Sequence, residues 1–333
     1  MDIKSLRTSI ELELQKQVSR LDQPNTKPFH EMLTFHMGWT GEGSGPEATG
    51  KRIRPLMVLL CTSASGGDWQ KALSAAAAVE LVHNFSLVHD DIQDNSPKRR
   101  GRDTAWTIWG APMAINVGDA LFVISNQAII DLKEHHTPET VLKAAEILHN
   151  TCLELTRGQF MDMSYEERSD LTADDYWPMI AGKTAALLSA CCHLGALLGG
   201  ADEPKQDAYK SFGQYLGLAF QVQDDILGIW GNEAVTGKSA ASDLVEGKNS
   251  LPVLAGLSAN GDFAKRWRKG PIKPEEVESL AKLLATEGGY ETAHNASTQM
   301  TDLALLNLRE TEAQGEAGNA LFDLAEMLLK REQ

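Results

Sequence analysis

Apolar residues recur along most of this chain at the three- and four-residue spacing of a helix face. Leu6, Ile10, Leu12 and Leu14 near the start, and the Ala-rich stretch from Ala72 to Val82, are built from good helix formers with no internal proline. The same pattern predicts helices at about 113–133, 138–164, 174–199, 205–230, 274–286, 290–312 and 316–331. Alternating β-branched runs bounded by turn pairs are nearly absent. The fold is expected to be all-α.

Three stretches break the pattern: 38–50, rich in Gly and ending before GKRIRP; 95–104, basic; and 231–250, with several Gly and Lys residues. None has the composition of a domain linker, and no repeat of fixed period is present. One domain over residues 1–333 is expected.

Composition adds mainly a charge argument. An apolar fraction of 42% and a charged fraction of 23% are those of an ordinary globular protein. Lys and Arg number 31 against 46 Asp and Glu, a net charge of -15, which excludes nonspecific attraction to nucleic acid or an anionic membrane. An anionic substrate must therefore meet local positive charge. Cys61, Cys152, Cys191 and Cys192 have neither disulfide-framework nor zinc spacing and read as buried small side chains. The beginning, MDIKSLRTSIELELQ, is acidic and amphipathic, unlike a signal peptide. The apolar run Thr184 to Leu198 is interrupted by Ser189 and His193 and falls short of a membrane span, so a cytoplasmic protein without membrane insertion is expected.

The segment HNFSLVHDDIQDNSPKRRGRDT, residues 83–104, carries the most chemistry. Asp90 and Asp94 are four apart, so a helix projects both carboxylates from one face, with Asp91 to the side. Acids so placed repel unless cations lie between them, and hard oxygen ligands suit Mg²⁺, which also takes water and substrate phosphates. A solvated acidic helix end is the competing reading. The largely apolar run Phe85 to Val88 ahead of Asp90 favours delivery of the acids from a buried helix. FQVQDDILGIWG, residues 220–231, presents a second pair, Asp224 and Asp225, again in apolar sequence where an unpaired charge is costly. Lys51, Arg52 and Arg54 in GKRIRP, Arg99 and Arg100 after the first acidic helix, and Lys183, Lys238 and Lys248 supply cations. In loops beside acidic helices, GKRIRP and RRG read as diphosphate clamps.

In order, GKRIRP, HDDIQD with RRG, GQFMD, GKTAAL and FQVQDDILG with the downstream GK and GKNSLP resemble the isoprenyl diphosphate synthase family over residues 48–254. The resemblance implies a single bundle of long helices around a deep central cavity, the isoprenoid synthase fold, usually as a homodimer. It implies that Asp90 and Asp94 bind two Mg²⁺ ions and Asp224 a third, and that these hold an allylic diphosphate with Arg99, Lys183 and Lys238. Lys51, Arg54, His83 and Arg100 would hold isopentenyl diphosphate, Thr184 and Gln221 would face the allylic carbon, and Lys248 would lie near the entrance. Gln159 and Asp162 match a supporting polar pair. A lone His on an apolar helix is also a common core residue, and His89 reads as structural.

Two departures stand out. Gly228 occupies the fifth position of the second acidic motif, where a carboxylate is usual, so water would complete the third ion; Asp103 replaces a proline after RRG, with Trp106 and Trp109 following. The resemblance favours condensation to a C20 product, with C15 as the alternative. Phe85 would act as a floor to the growing chain, and Ser86 and Val82 would face or flank its path. A terpene cyclase and a noncatalytic partner subunit are the remaining readings.

Overall fold

The computed structural model describes residues 2–166, 168–231 and 242–329. It is all-α, as the periodicity predicts. In chain order the helices are α1 (Ile3–Val18), α2 (Lys27–His36), α3 (Pro46–Thr49), α4 (Ile53–Ala64), α5 (Leu73–Gln93), α6 (Ala105–Trp109), α7 (Ala111–Ile130), α8 (Pro138–Tyr165) and α9 (Ala173–Ile180). A π-helical turn, Ala181–Ala185, leads into α10 (Ala186–Leu198). There follow α11 (Glu203–Trp230), α12 (Ser242–Glu246), α13 (Leu251–Ala259), α14 (Asp262–Trp267), α15 (Val277–Thr286), α16 (Gly289–Glu310) and α17 (Gly315–Leu329).

The chain forms two compact units, one of Met1–Asn150, Ala190–Gln206 and Ala313–Ala320, the other of Thr151–Ser189, Asp207–Glu312 and Leu321–Gln333. In the first, Leu6, Ile10, Leu14 and Val18 form a fully buried i, i+4 stripe on α1, which packs on α4 and α5. Helix α5 also packs along α7, with Ala75 to Val79 shielded from solvent by small side chains that permit close helix approach. In the second, Tyr176, Ile180, Ala185, Val222, Ile226 and Leu251 belong to one core cluster, so α9, the π turn, α11 and α13 share an interior.

Helices α4 and α13 did not stand out in the periodicity. Every residue from Pro55 to Thr62 on α4 is buried, and a short helix that is apolar all round has no polar stripe to mark its phase. The basic stretch 95–104 contains a small hairpin, in which Lys98 pairs with Asp103 and Arg99 with Arg102. Two helical stretches, Ala111–Glu134 and Ala173–Leu198, are long and apolar enough to cross a membrane by length and composition alone. The second is longer than the interrupted run suggested, because Ser189 and His193 do not break the helix, and most of it is buried inside the fold.

Candidate active site

In the first unit the geometry starts from two turns. RRG closes the hairpin: Arg100 (φ 51°) and Gly101 (φ 75°) both lie in the left-handed region, as a two-residue primed turn requires. The turn throws the Arg100 guanidinium across Gly50, where a β-carbon would meet its Cζ at 2.7 Å, and Nη1 donates to the Ala48 carbonyl at 2.9 Å. The glycine of GKRIRP is thus the surface on which the RRG arginine lies. Arg102 braces the same loop, donating to the carbonyls of Phe35, Thr40 and Glu42 at 2.9, 2.7 and 3.0 Å, with its guanidinium 4.1 Å from the Phe35 ring centre.

The basic residues of GKRIRP divide. Arg52, itself left-handed (φ 49°), is buried and bonded to Glu11 and Glu80 at 2.6 and 2.8 Å, so it ties α4 to α1 and α5 rather than clamping a diphosphate. Lys51 is exposed. Arg54 places Nη1 3.4 Å from His83 Nε2, while its Nε is buried without a hydrogen-bond partner. Burial, reinforced by Arg54, Arg100 and Arg99, lowers the His83 pKa well below the usual imidazole range. His83 is therefore a neutral ring held in a field of arginines.

At the C-terminal end of α5 the Asp94 N–H donates to the Asp90 carbonyl at 2.8 Å, which puts these residues one turn apart. Asp90 is half-buried and Asp94 exposed. Asp91 turns inward: it is 2% exposed and takes Arg99 Nε and Nη2 at 2.8 and 2.7 Å. Burial raises its pKa, against the pull of Arg99. The helix end itself carries partial negative charge, which with Asp90 and Asp94 favours cations. Phe85 and Ser86 are half-buried, the Phe85 ring lying 5.0 Å from Phe122 and 5.8 Å from His89. Val82 is fully buried in core packing.

In the second unit the GQFMD and GKTAAL motifs meet through their glycines. A β-carbon on Gly158 would lie 2.1 Å from Lys183 N, and one on Gly182 would lie 2.6 Å from the Glu154 carbonyl oxygen. Only two glycines allow α8 to touch the π turn this closely. The contact brings Lys183 into an ion pair with Asp162, and Gln159 is half-buried nearby in sequence. Thr184, on the same turn, donates to Gln221 Oε1 on α11 at 2.7 Å.

Helix α11 sorts its two aspartates as α5 does. Asp224 is half-buried, whereas Asp225 is 7% exposed and accepts from Tyr176 Oη (2.7 Å), Gln221 Nε2 (3.0 Å) and Leu251 N–H (3.4 Å). Burial pushes the Asp225 carboxyl up to about 7 despite the bonds from Tyr176 and Gln221. At the fifth motif position a β-carbon on Gly228 would come within 2.1 Å of Asp243 Oδ2. Asp243 is buried and lies 3.4 Å from Lys248 Nζ, which also pairs with Glu246 at 2.8 Å. Burial of Lys248 is outweighed by these acids, and its pKa is raised. Lys238 lies outside the described residues.

The sequence reading missed Tyr176, Asp243 and Arg102. Tyr176 precedes Lys183 by seven residues on an apolar helix, where it looks like ordinary core. Asp243 reaches Gly228 only through the fold. Among the described residues no three Asp, Glu, His or Cys side chains converge as a protein-made metal cage requires. Asp90 and Asp94 at the end of α5 could hold Mg²⁺, which takes one or two carboxylates and fills its shell with water and substrate phosphate, and so, in its own unit, could Asp224 on α11.

The family model described as polyprenyl synthetase matches residues 45–285. Geranylgeranyl diphosphate synthase of Mycobacterium tuberculosis is 37% identical over 314 residues, covering 92% of this chain and 87% of that protein. A (2E,6E)-farnesyl diphosphate synthase of the same organism is 37% identical over 290 residues, covering 84% and 79%. The crystal structure of a polyprenyl synthetase from Streptomyces coelicolor superposes with a TM-score of 0.87 at 34% identity, covering 98% of this chain and 99% of that one. This chain belongs to the polyprenyl synthetase family.

Proposed function

We propose that this protein is a Mg²⁺-dependent prenyl transferase that joins isopentenyl diphosphate head-to-tail to an allylic diphosphate, whether dimethylallyl, geranyl or farnesyl. Its product is a short all-trans chain, geranylgeranyl diphosphate first and farnesyl diphosphate as the alternative. The observation that carries this reading is the gathering of Arg54 and Arg100 around His83 on α5 in a protein of net charge -15. Positive charge concentrated against the overall balance fits a diphosphate site beyond the one that acids and metal would serve. A terpene cyclase, ionising one substrate, has no use for it.

Asp90 and Asp94 would hold two Mg²⁺ ions and Asp224 a third; when bound, these ions supply Lewis-acid stabilisation of the leaving diphosphate. Arg99, Lys183 and Lys238 hold the allylic diphosphate by charge-assisted hydrogen bonds. Lys51, Arg54 and Arg100 do the same for isopentenyl diphosphate, with neutral His83 as a further hydrogen-bonding partner, and Lys248 stands near the entrance. As diphosphate departs, the allylic carbon becomes cationic, and Thr184 and Gln221 present oxygen to it. The double bond of isopentenyl diphosphate, held at high effective concentration, attacks that carbon. A proton then leaves, taken by the departed diphosphate.

Exposed Met113, Ile115, Val123 and Ile130 on α7 support a homodimer, since apolar surface of this extent on one helix is covered by a second copy at little cost. The enzyme works in the cytoplasm. Purified protein incubated with isopentenyl diphosphate, Mg²⁺ and each of the C5, C10 and C15 allylic diphosphates should yield elongated diphosphates. Cyclised hydrocarbon from one allylic substrate alone would transfer the reading to a cyclase, and no turnover in any arm would point to a partner subunit.

A further inference from the structure

Three donors converge on the Asp225 carboxylate. Tyr176 Oη and the Leu251 N–H both reach Oδ2, at 2.7 and 3.4 Å, and Gln221 Nε2 reaches Oδ1 at 3.0 Å. Gln221 turns its NH₂ toward Asp225 and its carbonyl oxygen away, the direction that a carboxylate acting only as acceptor requires. That oxygen lies 2.7 Å from Thr184 Oγ1, and having no hydrogen it must accept. The single hydroxyl hydrogen of Thr184 is thereby committed. What remains on the oxygen is lone pairs.

We propose that Asp225 and Tyr176 are positioning residues that fix the direction of the Thr184 hydroxyl, so that it offers the reacting carbon electron density and never its hydrogen. This rests on the reading of Thr184 and Gln221 as the groups facing the allylic cation. The distinction matters because a developing cation is stabilised by the negative end of a fixed dipole and opposed by its positive end. A free hydroxyl would have to rotate in the same instant as the charge develops; a committed one is oriented beforehand. Tyr176 and Asp225 touch neither substrate nor reacting atoms and act through Gln221.

The hydrogen-bond direction can be reversed and restored. In Asp225→Asn the two donors at Oδ2 hold the new carbonyl oxygen, leaving the new NH₂ facing Gln221, whose amide flips and presents NH₂ to Thr184. The hydroxyl then accepts, and its hydrogen is released toward the substrate. Gln221→Glu in the same chain brings an acceptor-only group back to both neighbours with the net charge of the wild type. The expected result is a fall in kcat of about tenfold or more in each single variant with little change in KM, and a recovery of at least about fivefold in the double variant. A residue needed only to fill the core predicts no such rescue. Recovery absent in a double variant that melts within a few degrees of the wild type would overturn the proposal.

If the single variants fail to fold, the decision passes to Tyr176→Phe, which removes one donor and little volume. A several-fold loss of kcat at unchanged KM supports the proposal, and unchanged kcat overturns it. Wild-type enzyme run alongside separates the two levels: wild type that makes no elongated product discards the transferase reading itself, whereas active wild type with no rescue discards only the positioning role.

Discussion

The carboxylate of Asp243 lies against the α-carbon of Gly228, so close that a β-carbon there would stand 2.1 Å from Oδ2. The missing carboxylate at the fifth motif position is therefore matched by one already in place from α12. By the motif alone, Gly228→Asp would only restore the usual carboxylate. With Asp243 buried in the way, it forces two carboxylates into one space, and a destabilisation of about 2–4 kcal/mol is expected. Thermal melting checks this. Adding Asp243→Gly should return most of the lost stability, and a Gly228→Asp protein that melts like wild type would remove the steric argument.

Asp90→Ala, Asp94→Ala and Asp224→Ala should each lower turnover by several powers of ten, and chelation of Mg²⁺ should abolish it. Steady-state kinetics with and without chelator decide this. Full activity in chelator would refute the metal assignment.

Asp225→Ala should show the opposite balance from Asp224→Ala. Loss of the buried acceptor strands the Tyr176 hydroxyl and the Leu251 N–H, each costing about 1–3 kcal/mol. Asp225→Ala is expected to melt well below Asp224→Ala yet retain more turnover, and paired melting and kinetic measurements would show the reversal or its absence.

Phe85 packs on Phe122 with ring centres 5.0 Å apart. Phe85→Ala should shift products beyond the wild-type length if this ring is the floor of the chain path. Chromatographic sizing of the products settles it, and an unchanged distribution at normal stability places the floor elsewhere.

Stability should also depend on pH through two histidines. Burial, then Arg99 and Arg100, lowers the His36 pKa to about 3, and burial with Arg54 and Arg100 lowers that of His83 well below the usual imidazole range. Both folded values are depressed, so the unfolded chain binds protons that the folded one refuses. The associated stability is complete above pH 6.5 and lost progressively as pH falls toward the folded values, by about 1.4 kcal/mol for His36 at one unit below 6.5. Melting temperature should fall between pH 6.5 and 5, and His36→Phe should flatten the slope.

Much of this was legible in the chain, for identifiable reasons. Long helices with one polar face betray their period, and Asp90 and Asp94 declare a shared helix face by spacing alone. Arg52 misled because a buried arginine and a phosphate-binding one are the same letter; only Glu11 and Glu80, far off in sequence, reveal which it is. The Tyr176–Asp225 bond and the Asp243–Gly228 contact join residues 49 and 15 positions apart, and no local pattern encodes either.

The π turn at Ala181–Ala185 has a consequence for how this segment can change over generations. One extra residue is accommodated there without ending the helix. Removing any single residue between Ile180 and Ala186 would let an ordinary α-helix re-form, but would swing the residues beyond by about 100° relative to α9. Lys183 and Thr184 would lose their common bearing on Asp162 and Gln221 even though every side chain survived. Substitutions in this stretch can be sampled one at a time, whereas a change of length cannot, so family members that share this chemistry should share the residue count here more strictly than the residues themselves.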